Sequence, residues 1–423
     1  MTSLALTDQL PTTTPSIDLS RWPDLANYPR GLRADVQAAV VRRLLSAAAK
    51  RAGVTVVQAG ESYPIGPAPV LVLERPEEFF ARVGNDGLIG FGEAWQSGAW
   101  TSPDVAALLT ALCRHLTTLV PRPMQRLRSA YVRRPPQEQR NEVGNTRTNI
   151  SHHYDLSNDL FASFLDPTMS YSSALFTTAP FDQQTLEQAQ NRKIDRILNQ
   201  ARVGQGTRLL EIGTGWGELA IRAAQRGAEV VSVTLSAEQQ HLARSMAKAA
   251  GVSDAVRIEL CDYREVEGSY DAVVSVEMIE AVGHQYWPTY FATIDRLLVP
   301  GGRAVIQAIT MPHDRMLATQ NTWTWINKYI FPGGFLPSVT AIDEAVTGHT
   351  SLRRVEDLAF GAHYAETLRR WRERFNAKAS RVHALGFDEV FCRTWEFYLA
   401  YSEAGFEAGY LDVHQLTFAK EAE

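Results

Sequence analysis

Two stretches of this sequence gather residues that could do chemistry. In the first, Leu209-Leu-Glu-Ile-Gly-Thr-Gly-Trp-Gly-Glu-Leu-Ala220, an apolar run breaks into Gly213, Gly215 and Gly217 and then into a helix expected over 218–226. A strand, a glycine turn and a helix start let backbone approach a nucleotide-like ligand without side-chain obstruction. Alone, the pattern is weak, because any strand-to-helix corner favours glycine. The second stretch is Ser275-Val-Glu-Met-Ile-Glu-Ala281, with Glu277 and Glu280 three apart just past another apolar run. If a helix starts there, the carboxylates share one face, raise each other's proton affinity and leave one competent as a base. The plainer alternative is that both simply favour a helix N-terminus.

The elements around these stretches alternate. Strands are expected at 209–212, 230–235, 256–260, 270–276 and 303–308, with helices at 218–226, 237–250 and 287–298 between them. That is an α/β doubly wound sheet, whose ligands sit at the carboxyl ends of its strands. Segment 311–348 is long and aromatic-rich and reads as a lid or substrate-channel insertion. From Glu356 onward the expectation is helical, chiefly 369–384 and 389–403. Upstream, a helix over 34–51 carries Val36, Val40, Leu44 and Ala47 on one face, and 54–57 and 70–73 read as strands. A further helix is expected over 103–119, which completes a small α+β N-terminal domain over 1–125. Residues 126–150 read as an Arg/Pro-rich linker, and 151–423 as the catalytic domain. The arginines Arg122, Arg126, Arg128, Arg133, Arg134 and Arg140 make either a solvated hinge or a patch for anionic lipid headgroups.

Composition narrows the class. The 45% hydrophobic and 21% charged content of the 423 residues is that of a globular protein, and a net charge of −5 argues against nucleic acid as a partner. No apolar run approaches the ~20 residues needed to span a bilayer. Cys113, Cys261 and Cys392 are too widely spaced for a zinc site or disulfide framework, so no metal and a reducing cytoplasm are expected. For the cofactor, a dinucleotide would want an acidic residue after the second strand, where Glu238 stands in a run from Thr234 to Gln240. Asp262 and Tyr263, after the third strand, could meet an adenine instead. On these residues S-adenosylmethionine leads and NAD stays open.

Longer motifs add a resemblance. Tyr154-Asp-Leu-Ser-Asn-Asp-Leu-Phe161, Leu165-Asp-Pro-Thr-Met-Ser-Tyr-Ser-Ser173, the glycine turn, Val233-Thr-Leu-Ser-Ala-Glu-Gln-Gln240 and Trp325-Ile-Asn-Lys-Tyr-Ile-Phe-Pro-Gly-Gly334 resemble the cyclopropane fatty acid synthase and mycolic acid methyltransferase family. So do 364–371 and 411–415, and Gly90 to Trp100 is similar to the N-terminal domain of the phospholipid-acting members. The resemblance implies a Rossmann-like methyltransferase that uses S-adenosylmethionine to methylate the cis double bond of acyl chains. The implied cofactor residues are Tyr171, Ser172, Gly213, Gly215, Trp216, Thr234, Leu235, Gln239, Asp262 and Tyr263. An acyl channel is expected among Tyr286, Trp287, Tyr290, Phe291, Trp323, Trp325, Tyr329, Phe331 and Phe335, though aromatics in such numbers also make ordinary core.

Methylating an alkene leaves a carbocation, so the site must exclude water and supply a base. By resemblance, cyclopropane synthases hold a bicarbonate ion with Cys, Glu, His and Tyr, and the matching positions here are Ser173, Glu280, Gln307 and Tyr364. Cys and His are lost, which argues against bicarbonate, and Glu277 stands where the family usually has glycine. The expectation is that the Glu277 carboxylate does bicarbonate's work. A changed base points to the tuberculostearic branch: an oleoyl phospholipid becomes 10-methylene-stearoyl, which a separate reductase finishes. A cyclopropane product, a small-molecule methyltransferase and a non-catalytic lipid-binding protein are the alternatives. Peripheral association with the inner face of the membrane and a homodimer are further expectations.

Overall fold

The computed structural model describes residues 15–63, 66, 68–116, 136 and 157–422. The expected linker lies outside them apart from Pro136, as do its arginines and the start of the motif at Tyr154. Two compact units emerge: Met1–Arg133 with Val382–Ala404, and Arg134–Arg381 with Gly405–Glu423. The expected catalytic domain ran unbroken to the C-terminus; the contacts instead place Val382–Ala404 with the N-terminal unit.

In that first unit, β1 (Thr55–Gln58) pairs parallel with β2 (Val70–Leu73), which pairs antiparallel with β3 (Trp100–Thr101). The helix expected over 34–51 forms as Leu32–Ala52, but with a different face inward. Val36 and Val40 are exposed, and the buried residues are Ala34 and Ala49. The helix also passes close to the one that carries Gly84, where an added Cβ would lie 3.0 Å from Gln37. The 382–404 segment is tied in by Arg393, whose Nε donates to the Trp95 carbonyl at 2.7 Å while the Trp95 indole donates to the Arg393 carbonyl at 2.8 Å.

In the second unit, the five expected strands form as β4 (Arg208–Ile212), β5 (Glu229–Thr234), β6 (Val256–Leu260), β7 (Tyr270–Val276) and β8 (Leu298–Thr310). Two more complete the sheet, β9 (Leu352–Ala359) and β10 (Asp412–Lys420), in the order β6-β5-β4-β7-β8-β10-β9. β4 to β8 pair parallel with one another, whereas β10 runs antiparallel to both β8 and β9. Glu356 therefore lies in an edge strand, not in the helix expected from there on. Beyond it, helices Gly361–Ala377 and Ala379–Ala384 cover the 369–384 expectation. One face of the sheet packs Leu210, Val273 and Ile306 against Phe291 and Ile294, and the other packs Leu209, Val274 and Val305 against Ile194 and Ile197. Tyr290 and Phe291 are thus fully buried core rather than channel wall. Strand order reverses at β4, which lies between β5 and β7, so the ligand crevice opens at the carboxyl ends of β4 and β7. Gly213 follows the one and Glu277 the other.

Candidate active site

The glycine turn is shaped by what lies behind it. Gly213 has φ +97°, a conformation open to glycine, and a Cβ there would come 2.6 Å from Met278 Cγ. The turn after β4 therefore rests on the segment after β7, beside Glu277. Trp216 is buried; its indole donates to Asn158 at 2.8 Å, and its ring packs on Phe161 at 4.9 Å. Tyr171 joins the same aromatic group, 5.1 Å from Phe161 and 5.3 Å from Trp371. Ser172 is held by Lys193 Nζ on its hydroxyl at 2.7 Å and by Gln190 on its carbonyl at 2.9 Å.

After β5, the Thr234 hydroxyl donates to Gln239 Oε1 at 2.9 Å, and Leu235 is half-buried. Glu238 is exposed in the first turn of helix Ala237–Ala249, where the helix dipole is reason enough for it. After β6, Asp262 accepts from Arg264 at 2.8 and 2.6 Å. Burial works against its charge, but Arg264 more than offsets this, so the carboxyl titrates below its ordinary value. It is an anionic acceptor suited to an amine donor such as adenine's. Tyr263 packs edge-on to Tyr290 at 5.5 Å.

Glu277 is the centre of the arrangement. Its φ is +52°, so it is not in a helix; the helix is the short Ile279–Val282. The expected shared helical face with Glu280 does not exist. The left-handed conformation costs about 1–2 kcal/mol for a residue with a Cβ. Hydrogen bonds to a charged group, each about 1.5–3 kcal/mol, offset that. Glu277 Oε1 accepts from the Ser173 backbone N–H at 2.9 Å and from Gln307 Nε2 at 2.8 Å, and Oε2 accepts from the Tyr364 hydroxyl at 2.6 Å. Three positions expected around bicarbonate thus converge on this carboxylate, although Ser173 contributes its backbone and sends its hydroxyl to the Ala174 carbonyl. The Tyr364 ring is fixed by Phe406, 4.5 Å away. Glu277 is only half-buried, as a group meeting a substrate must be.

Glu280 is placed differently. Oε1 accepts from the Ile309 N–H at 2.5 Å, and Oε2 is buried without a partner among the described residues. Burial, with help from the Glu277 charge, pushes its carboxyl up to about 8, so it is neutral at pH 7. Burial also raises Glu277, but Tyr364, Ser173, Gln307 and the Lys193 charge all pull the other way. Of the two, Glu277 is the carboxyl with three hydrogen-bond donors and a nearby cation favouring its ionised form, and Glu280 is the one without them.

Sequence reasoning missed Lys193. It lies in helix Leu186–Gln200 on the stripe Leu186, Ala189, Gln190, Lys193, Ile194 and Ile197, where a cation has no place unless anions await it. That misplaced charge was the available signal. Burial lowers Lys193 to about 8, against Glu277, Asp166 and Glu211, which raise it. Glu211, buried at the end of β4 and itself pushed up to about 8, accepts from Ser232 at 2.5 Å.

Comparison with known proteins identifies the group. The model of the family described as mycolic acid cyclopropane synthetase matches residues 141–416. The chain belongs to this family. Over 419 residues it is 53% identical to the tuberculostearic acid methyltransferase UfaA1 of Mycobacterium tuberculosis, covering 96% of this chain and 98% of that one. To the cyclopropane-fatty-acyl-phospholipid synthase of Escherichia coli K12 it is 34% identical, covering 85% and 90%. Among solved structures, mycolic acid cyclopropane synthase CmaA1 complexed with SAH and CTAB superposes with a TM-score of 0.60 at 31% identity, covering 65% of this chain and 98% of that one. The chain is an S-adenosylmethionine-dependent methyltransferase with the Rossmann-like fold. Its residues fit that cofactor: the space beside Gly215 is open, the Asp262 carboxylate is ionised, and both lie at the carboxyl ends of the parallel strands.

Proposed function

We propose that this family member methylates the cis double bond of an oleoyl chain on a membrane phospholipid and releases it as a 10-methylene-stearoyl chain, with Glu277 as the base. The observation that carries the reading is the Glu277 carboxylate, bonded by Ser173, Gln307 and Tyr364. S-adenosylmethionine supplies an electrophilic methyl group to the alkene. Methylation at C10 leaves the positive charge on C9, and a hydride moving from C10 to C9 makes the cation tertiary. Glu277 then takes a proton from the new methyl group, and the C–H electron pair becomes the exocyclic double bond. The neutral Glu280 and the hydroxyl of Tyr364 cannot compete as bases at pH 7. The Glu277 anion also stabilises the cation electrostatically before the proton leaves.

The high identity to a tuberculostearic acid methyltransferase along nearly the full chain supports the same branch. A methylene product needs a hydride donor and a separate reductase to become 10-methylstearoyl. In this reading the enzyme meets its acyl chains at the membrane surface; no helix of the described residues is long and apolar enough to cross a membrane.

The test is proton NMR of phospholipids from a host that expresses the chain and is fed oleate. Exocyclic vinylidene signals are expected; upfield ring-proton signals would mean a cyclopropane and overturn the branch. Glu277→Gln is expected to abolish turnover, and rigorous removal of carbonate to leave the wild type unaffected. Full activity in that variant would refute the base assignment.

A further inference from the structure

Gln307 and Gln415 are fully buried amides set directly opposite each other in the antiparallel β8–β10 ladder, so their side chains share a face. An amide has a donor end and an acceptor end of nearly the same shape, so partners decide which way it points. Arg196, on helix Leu186–Gln200, can only donate. Its Nη1 donates to Gln415 Oε1 at 2.6 Å, which turns Gln415 Nε2 inward to donate to Gln307 Oε1 at 3.0 Å. Gln307 is then left presenting Nε2 to Glu277 Oε1 at 2.8 Å. Two carbonyls accept in the same sense but at the limit of hydrogen-bond distance, Lys193 at 3.5 Å from Gln415 and Ser173 at 3.4 Å from Gln307. Arg196 Nη2 is anchored on Glu356 of β9 at 2.5 Å.

We propose that Arg196 is a positioning residue for the base: through Gln415 and Gln307 it fixes a one-way chain of donors that ends on Glu277 Oε1. The inference rests on the reading of Glu277 as the base. Oε1, with two N–H donors aimed at it, is kept as an acceptor. The proton taken from substrate therefore settles on Oε2, the oxygen facing Tyr364. The charges and titratable groups around Glu277 are Lys193 of helix Leu186–Gln200, Glu280 beyond β7 and Tyr364 of helix Gly361–Ala377. Arg196 faces Glu356 and Asp357, and Glu211, Asp166 and Glu218 act on Lys193. Losing a donor from this set favours the protonated form of Glu277.

The test uses Arg196→Met, Arg196→Lys and Gln415→Glu. One readout is the acid limb of kcat/KM for methyl transfer to oleoyl-phospholipid vesicles. A second is the infrared carboxyl titration that disappears in Glu277→Gln, which follows Glu277 without turnover. In Arg196→Met both are expected to move up by about one pH unit, a roughly tenfold loss of kcat/KM on the acid side. Arg196→Lys, still donor-only, is expected to recover most of that loss. Gln415→Glu keeps the shape and the Arg196 contact but has no N–H for Gln307, so it is expected to shift both readouts upward too. If Arg196→Met does not fold, as judged by its melting curve, Gln415→Glu decides. An unmoved Glu277 titration in a folded variant, or a loss that lysine does not recover, overturns the proposal. Full activity of Glu277→Gln would instead overturn the base reading, and the infrared titration would still report whether Arg196 governs that carboxyl.

Discussion

The phenol of Tyr364 donates to Glu277 Oε2 at 2.6 Å, joining helix Gly361–Ala377 to the end of β7 across 87 residues of sequence. The bond lands on the oxygen that must receive the substrate's proton. A donor there favours the ionised carboxylate and partly offsets the upward push of burial.

Tyr364→Phe should therefore raise the Glu277 pKa further. The base acts only when ionised, so activity climbs with pH through that pKa, and a higher pKa moves the climb to higher pH. A charged hydrogen bond of about 1.5–3 kcal/mol corresponds to a shift of roughly one to two pH units. The pH profile of kcat/KM checks this: at least a tenfold loss on the acid limb, mostly recovered on the alkaline side. A loss equal at every pH would mean that Tyr364 acts only by packing against Phe406.

Glu277→Gly should relieve the backbone strain at φ +52° and leave a carboxylate-sized space lined by the Ser173 N–H, Gln307 and Tyr364. Small oxyanions should then restore activity. Without added anion the variant is expected to be inactive, and formate or bicarbonate at millimolar levels to recover part of the turnover. Glu277→Gln, which fills the space, should not respond. Rescue of both variants alike would argue against the site reading.

The parallel half of the sheet was legible because its strands are short apolar runs between amphipathic helices, the pattern of strands buried on both faces. β9 was not, because its Arg353-Arg-Val-Glu-Asp357 run is mostly exposed at the sheet edge and carries no apolar alternation. β10 hid for the opposite reason: its buried positions include the polar Gln415 and Thr417, and Gln415 is held there by Arg196 and Gln307, partners far away in sequence. Glu277 and its partners were named from the motif, but the i, i+3 spacing promised a helix. Three donors converging on one carboxylate hold a glutamate in a conformation its own preference disfavours, and no local pattern shows that. Lys193 and Arg196 were visible as charges on or beside an apolar stripe, without the fold to say what they met.

Glu280 carries a pH dependence of stability. With its carboxyl pushed from 4.5 to about 8, the unfolded chain releases a proton above pH 4.5 that the folded chain keeps. Stability should fall with rising pH between those values and level off above them. Glu211, pushed to about 8 by burial, adds the same slope. Glu280→Gln resembles the neutral form and can still accept from the Ile309 N–H. Its melting temperature should match the wild type near pH 4.5 and exceed it by several degrees at pH 8. Parallel melting curves across this range would mean that Glu280 is ionised in the folded state.

Gly213 couples the cofactor turn to the base. An alanine there must adopt φ +97° and place Cβ 2.6 Å from Met278 Cγ, one residue from Glu277. The backbone strain alone costs about 1–2 kcal/mol. The steric part can be relieved only if Met278 moves and takes its neighbour with it. Gly213→Ala is expected to weaken S-adenosylmethionine binding at least tenfold by calorimetry and to lower the melting temperature. Adding Met278→Ala should recover part of the binding by clearing the contact, while the strain at φ +97° remains. If the double variant binds no better than the single one, the turn fails through its own conformation, and its packing on the base segment is incidental.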